Sequence, residues 1–105
     1  MLSETNTNTI SNQDLAAVAK ALAHPARLAI LNCLLKSDTC ITGDLSASIG
    51  LAQATTSQHL KELKKVGIIK GKIEGTSVCY CIDNENWKHI KNLLEQFLNK
   101  NSTGN

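Results

Sequence analysis

The chain has 105 residues, a net charge of +2 and 42% apolar residues, which allows one thin-cored domain and excludes a disordered chain. Its only aromatics are Trp87, Tyr80 and Phe97, so the core must be built from Leu, Ile, Val and Ala, which favours helix packing. No apolar run approaches a membrane span, and the polar start from Met1 to Ser11 lacks the segments of a secretory signal; the expected location is the cytoplasm, with no membrane partner.

Residues 1–10 read as a disordered tail, 11–99 as one folded domain and 100–105 as a second tail. A first helix is expected after Ser11, which has capping-box spacing to Asp14; Leu15, Val18, Ala19 and Leu22 then recur at helical intervals. Pro25 opens a second helix, where its fixed φ and missing N–H suit the first position. Leu28, Leu31, Leu34 and Leu35 form its apolar face, with Cys33 as core filler. Thr39-Cys40-Ile41 allows only a brief strand. Thr42 is a candidate N-cap for a short helix through Ile49, with Asp44 favouring its N-terminal dipole and Gly50 stopping it. The next helix runs from about Gln53 to Val66 and ends at Gly67. From Ile68 the period becomes strand-like: Ile68–Ile73 and Ser77–Ile82 bracket Glu74-Gly75-Thr76 as a hairpin. Asp83 or Asn84 caps a last helix striped by Trp87, Ile90, Leu93, Leu94, Phe97 and Leu98. This order predicts a mainly α fold with a β-hairpin wing, a winged helix-turn-helix.

In that arrangement the helix from Gln53 must bury one face and offer the other to base edges. Thr56, Leu60, Leu63 and Gly67 fall on one side. The candidate DNA contacts are Gln53, Thr55, Ser57, Gln58, His59, Lys61 and Lys65, with Lys70, Lys72 and Thr76 from the wing. Gln pairs with adenine, Ser and Thr reach bases or phosphates, and the lysines form a local basic stripe suited to a duplex backbone.

The segment Ala23-His24-Pro25-Ala26-Arg27-Leu28-Ala29-Ile30-Leu31 resembles the "HPxRLxIL" motif of the ArsR/SmtB metal-responsive repressors. Asp44-Leu45, the stretch Leu51–Leu63 (similar to "LSQSTVSxHLKxL") and Gly67-Ile68-Ile69 extend the likeness from about Leu15 to Asp83. Ala52 departs from it, standing where a capping Ser is usual. The resemblance implies a homodimer built from the first and last helices, repression at a palindromic double-stranded DNA operator, and release when an effector binds. The long apolar stripe of the last helix independently favours a partner.

The family's arsenic-binding cysteines correspond here to Ile41, Gly43 and Ser46, and its Asp/His site on the last helix would find a single histidine, His89. Neither site is expected. Cys40, Cys79 and Cys81 remain. Cys79 and Cys81 share one strand face, and the short strand of a winged helix pairs with the returning wing strand, so Cys40 should lie near one of them. Three thiolates suit a soft metal(loid), with As(III) or Sb(III) implied by the resemblance; no resident cofactor is required. Zinc lacks a fourth ligand. Oxidation or persulfidation of a cysteine pair is an alternative, as is a winged helix used only for protein contacts with no small effector. An enzyme is not expected: no nucleophile–base pair, carboxylate pair or phosphate loop is present, and Cys79-Tyr80-Cys81 lies in a strand, without a helix N-terminus to activate a thiol.

Overall fold

The computed structural model describes the backbone of residues 2–37, 39–42 and 45–101, and the side chains of residues 12–37, 39–41 and 45–101. Five helices and three strands follow in the order α1 (Leu2–Leu22), α2 (Pro25–Lys36), β1 (Ile41–Thr42), α3 (Leu45–Ile49), α4 (Gln53–Lys65), β2 (Ile69–Glu74), β3 (Ser77–Ile82) and α5 (Asn84–Leu98). This is the winged helix-turn-helix expected from the sequence.

Helix α1 starts upstream of Ser11, so residues 2–10 carry helical backbone in place of the expected tail. Neither Pro nor Gly interrupts Leu2–Leu22. The Thr and Asn residues there cost only a few tenths of a kcal/mol each once a packed segment has nucleated the helix. After α5, Lys100 and Asn101 carry no regular structure, and residues 102–105 of the expected second tail lie outside the described residues.

Thr42 is a strand residue paired with Cys79, not a helix cap, and Asp44 lies outside the described residues. The sheet order is β1-β3-β2, antiparallel throughout. Ile41 faces Tyr80, and across the hairpin Lys70 faces Cys81 and Lys72 faces Cys79. Partners directly opposite project from the same face of a sheet, so Lys70, Lys72, Cys79 and Cys81 share one side.

One core joins all five helices and the sheet. It holds Val18 and Ala21 from α1, Ile30, Leu31 and Leu34 from α2, Leu45 from α3, Leu60 and Leu63 from α4, Ile68, Ile69, Ile82 and Ile90. Leu28 and Leu35, expected on the apolar face of α2, are both about half exposed, because a helix beside so small a core can bury only one stripe. Cys33 is half-buried and packs against this core, as expected of a filler.

The end of α4 is held by a Schellman turn. The Ile68 N–H donates to Leu63 O (3.0 Å) and the Gly67 N–H to Lys64 O (3.0 Å), with Gly67 at φ 81°. Asn86 Nδ2 of α5 donates to Gly67 O at 2.6 Å, and a Cβ on Gly67 would sit 2.7 Å from that nitrogen. Gly67→Ala should therefore lower stability by about 1–3 kcal/mol, through a left-handed backbone and a displaced hydrogen bond. Urea denaturation checks this. Gly50→Ala, also at positive φ but with nothing within 4 Å of its Cβ, should cost less.

Candidate nucleic-acid interface and its thiol pair

The two faces of α4 divide as the helical period requires. Thr56, Leu60 and Leu63 are buried, while Gln53, Thr55, Ser57, Gln58, Lys61 and Lys65 are all exposed. Ala52 caps α4 without a side-chain hydrogen bond; Thr56 Oγ1 instead donates back to Ala52 O at 3.0 Å. The exposed arc thus offers two amide-bearing side chains, Gln53 and Gln58, flanked by hydroxyls and lysines, on one helix. Thr76 lies exposed in the hairpin turn.

His59 behaves differently from its neighbours on α4. It is half-buried, accepts a hydrogen bond at Nδ1 from Arg27 Nε (3.0 Å), and its ring lies 5.8 Å from that of His24. Arg27 Nη1 also donates to Ala21 O at 3.4 Å. Rather than joining the outward arc, His59 ties α4 to the start of α2 and the end of α1. It flanks the buried stripe, four residues before the fully buried Leu63. Its partner stands 32 residues away in sequence, so spacing alone could not reveal the pair.

Burial, then the Arg27 guanidinium and the His24 ring, push the His59 imidazole below its ordinary value. An accepting Nδ1 requires that nitrogen to be unprotonated. The folded state therefore favours neutral His59 more than the unfolded chain does. Its contribution is complete above the unfolded value, about 6.5, and is lost as pH falls from there through the lower folded value. Thermal stability should decline over that window, and His59→Gln should flatten the decline.

The cysteines lie at the base of the wing. Cys40 and Cys81 form a disulfide, with Cα atoms 4.4 Å apart, next to the Ile41–Tyr80 pair. That spacing matches a non-hydrogen-bonded antiparallel pair, so the bond extends the β1–β3 pairing in register. It joins β1, which leads into α3 and α4, to the return strand of the wing. Cys79 is a free thiol only 2% exposed. Burial and the nearby Glu74 push that thiol up, so it stays protonated. Among the described residues no group of three or more His, Cys, Asp or Glu side chains is arranged to hold a metal. Two of the three expected sulfurs are brought together and the third is not joined to them in a metal-competent group. Lys70 and Lys72, expected as DNA contacts, lie on this sulfur-bearing face of the hairpin and line a cavity of about 390 Å3 beside the disulfide. No single described helix is long and apolar enough to cross a membrane.

Residues 24–70 match the family described as bacterial regulatory proteins of the arsR family. The HTH-type transcriptional regulator YgaV of Escherichia coli K12 is 37% identical over 75 residues, which cover 71% of this chain and 76% of that protein. The cadmium resistance transcriptional regulatory protein CadC homolog of Staphylococcus aureus is 39% identical over 84 residues, 79% of this chain and 66% of its own length. Other curated relatives are longer, and the chain spans little more than half of them. The homodimeric winged helix-turn-helix DNA-binding domain Mb0332 of Mycobacterium bovis superposes with a TM-score of 0.66 at 28% identity, covering 87% of this chain and 83% of that one. With an exposed polar helix on a winged helix-turn-helix and a family motif running through it, the chain belongs to the ArsR family of DNA-binding transcriptional regulators and is not an enzyme.

Proposed function

We propose that the protein is a cytoplasmic, homodimeric repressor whose hold on a palindromic operator is broken when Cys40 and Cys81 are joined. The observation that carries the reading is the direct link between β1 and β3. A two-residue strand is held weakly by backbone pairing alone. Joining the sulfurs fixes the start of the helix-turn-helix to the wing, and separating them lets the two move independently. A change in the relative position of α4 and the wing penalises both half-sites of a dimer. The agent need only prefer the DNA-free arrangement, and that preference sets the size of the response. An oxidant or persulfide donor acting on the two thiols is the best-supported effector.

A second reading is a soft metal ion or metalloid, As(III) or Sb(III) included, bridging the same two thiolates in the reduced protein. The likeness to a cadmium resistance regulator favours it. Dimerisation is supported by the homodimeric domain of Mb0332 and by Phe97 and Leu98, which are 51% and 71% exposed at the end of α5, the helix packed against α1.

DNA reading falls to Gln53, Thr55, Ser57, Gln58, Lys61 and Lys65, with Thr76 at the wing tip. Selection of duplexes from a random pool by the reduced protein should return a palindrome. Its affinity should fall linearly with the logarithm of salt concentration. Lys61→Ala or Lys65→Ala should weaken all sequences alike and lower the salt slope by about one, whereas Gln58→Ala should relax preference at one base pair in each half-site. Recovery of no duplex at low salt would overturn the reading in favour of a protein-contact module. On the thiol side, As(III) added to reduced protein should release the duplex only if the second reading is right, while oxidation should release it under the first.

A further inference from the structure

The cavity beside the disulfide is lined by both of its sulfur-bearing residues, Cys40 and Cys81, together with Lys70, Lys72, Ser37 and Asn84. Its volume of about 390 Å3 falls within the roughly 300–1,000 Å3 typical of small-ligand clefts. No carboxylate is among the described residues that line it. Both lysines are exposed and, through the hairpin register, share a sheet face with Cys81. A disulfide at the wall of a cationic, small-molecule-sized cleft is placed to meet an anionic partner.

We propose that this cleft docks a small carboxylate-bearing thiol, whose carboxylates are held by Lys70 and Lys72 while its sulfur exchanges with the Cys40–Cys81 disulfide. The inference rests on the reading that this pair cycles between disulfide and dithiol, and it names the reductant class. The docked thiolate attacks Cys81 Sγ, forming a mixed disulfide and breaking the Cys40–Cys81 bond. Cys40 leaves as a thiolate and takes a proton from water. A second thiolate attacks the small molecule's sulfur in the mixed disulfide, releasing Cys81 as a thiolate, which is protonated in turn. Two small thiols are oxidised to their disulfide, and the protein disulfide is reduced to two thiols; the reverse sequence oxidises the protein. Cys79 stays outside the exchange, since it is buried and its thiol is pushed up by that burial and by Glu74. Lys70 and Lys72 act here as binding groups that concentrate and orient the attacking thiolate, which is the effect two positive charges have at short range.

The test uses the full-length oxidised protein and three thiols of nearly equal size: 3-mercaptopropionate, 2-mercaptoethanol and cysteamine. Release of protein thiols is followed in time, and each rate is corrected for thiolate fraction and for intrinsic nucleophilicity. The carboxylate thiol should react about tenfold faster than the ammonium thiol, with the neutral one between. The order should collapse in Lys70→Gln/Lys72→Gln and in high salt, persist in Lys70→Arg/Lys72→Arg, and persist in Lys88→Gln/Lys91→Gln on α5. Equal corrected rates, or an order that survives loss of both cleft lysines, would overturn the docking site. A thiol count showing no disulfide in the oxidised protein would instead overturn the redox reading. A disulfide that forms and controls DNA binding, yet reacts without charge preference, would remove the docking site alone.

Discussion

Phe97→Asp should leave a folded monomer and reduce operator affinity by about a hundredfold or more, because two half-sites bound by one dimer gain roughly 10²–10⁴ over either alone. The residue is chosen for its exposure. Ile90 is buried in the protomer's own core, and Trp87 and Leu94 pack against that core. An Asp at Leu94 would therefore disturb the fold as well as any interface. Phe97 lies half exposed beyond this packing, with Lys100 Nζ 5.7 Å from its ring centre. A carboxylate there costs the monomer little, but in an apolar interface it would be a buried, unpaired charge, whose cost is several kcal/mol. Sedimentation velocity reads the assembly, and circular dichroism checks that the fold is kept. A Phe97→Asp/Leu98→Asp protein that still sediments as a dimer would contradict the assignment of α5 to the interface.

Leu63→Ala should lower the free energy of unfolding by about 2–5 kcal/mol, a large share of the roughly 5–15 kcal/mol available to a small domain. Leu63 is 0% exposed, sits in the last turn of α4, and its carbonyl accepts the Ile68 N–H that closes the helix end. Truncation removes its apolar contacts and leaves a void between α4 and the rest of the core. Ile73→Ala is the matched control. Ile73 is 82% exposed near the wing tip, and its truncation should change stability by no more than about 0.5 kcal/mol. Urea denaturation with a common m-value separates the two; a cost below 1 kcal/mol for Leu63→Ala would mean that α4 is not anchored as described.

The elements with strong periodicity and clear punctuation were legible from sequence. The three inward positions of α4, the Gly67 stop, the Pro25 start and the hairpin around Gly75 needed no knowledge of distant residues. Asp83 caps α5 by accepting the Asn86 N–H, one of the two caps expected there. What escaped was set by tertiary partners. The start of α1 carries weak helix formers but no breaker, so composition pointed to a tail where the chain is helical. A two-residue strand has no period, which is why β1 falls at Ile41–Thr42 rather than Thr39–Ile41 and why Thr42 is no cap. The same gap left open which wing cysteine meets Cys40. Alternation put Cys79 and Cys81 on one face, but only the register chooses Cys81. The partners of His59 were not legible either, because Arg27 and His24 stand far from it in sequence and only the fold brings them beside its ring. The face of the hairpin that carries Lys70 and Lys72, and the cleft they line there, also come only from the register.

The thiol-controlled repressor is tested most directly by titrating the selected duplex, through fluorescence anisotropy, with one protein preparation that is reduced, oxidised with diamide, and then reduced again. Ellman's reagent counts the thiols at each stage. The account predicts that oxidation removes two thiols and weakens binding at least tenfold, within the roughly 1–3 kcal/mol usual for coupling between sites. Reduction should restore both, and Cys81→Ser should bind as the reduced protein does in all three states. Equal affinity before and after oxidation, with two thiols lost in the native protein and none in Cys81→Ser, would contradict it.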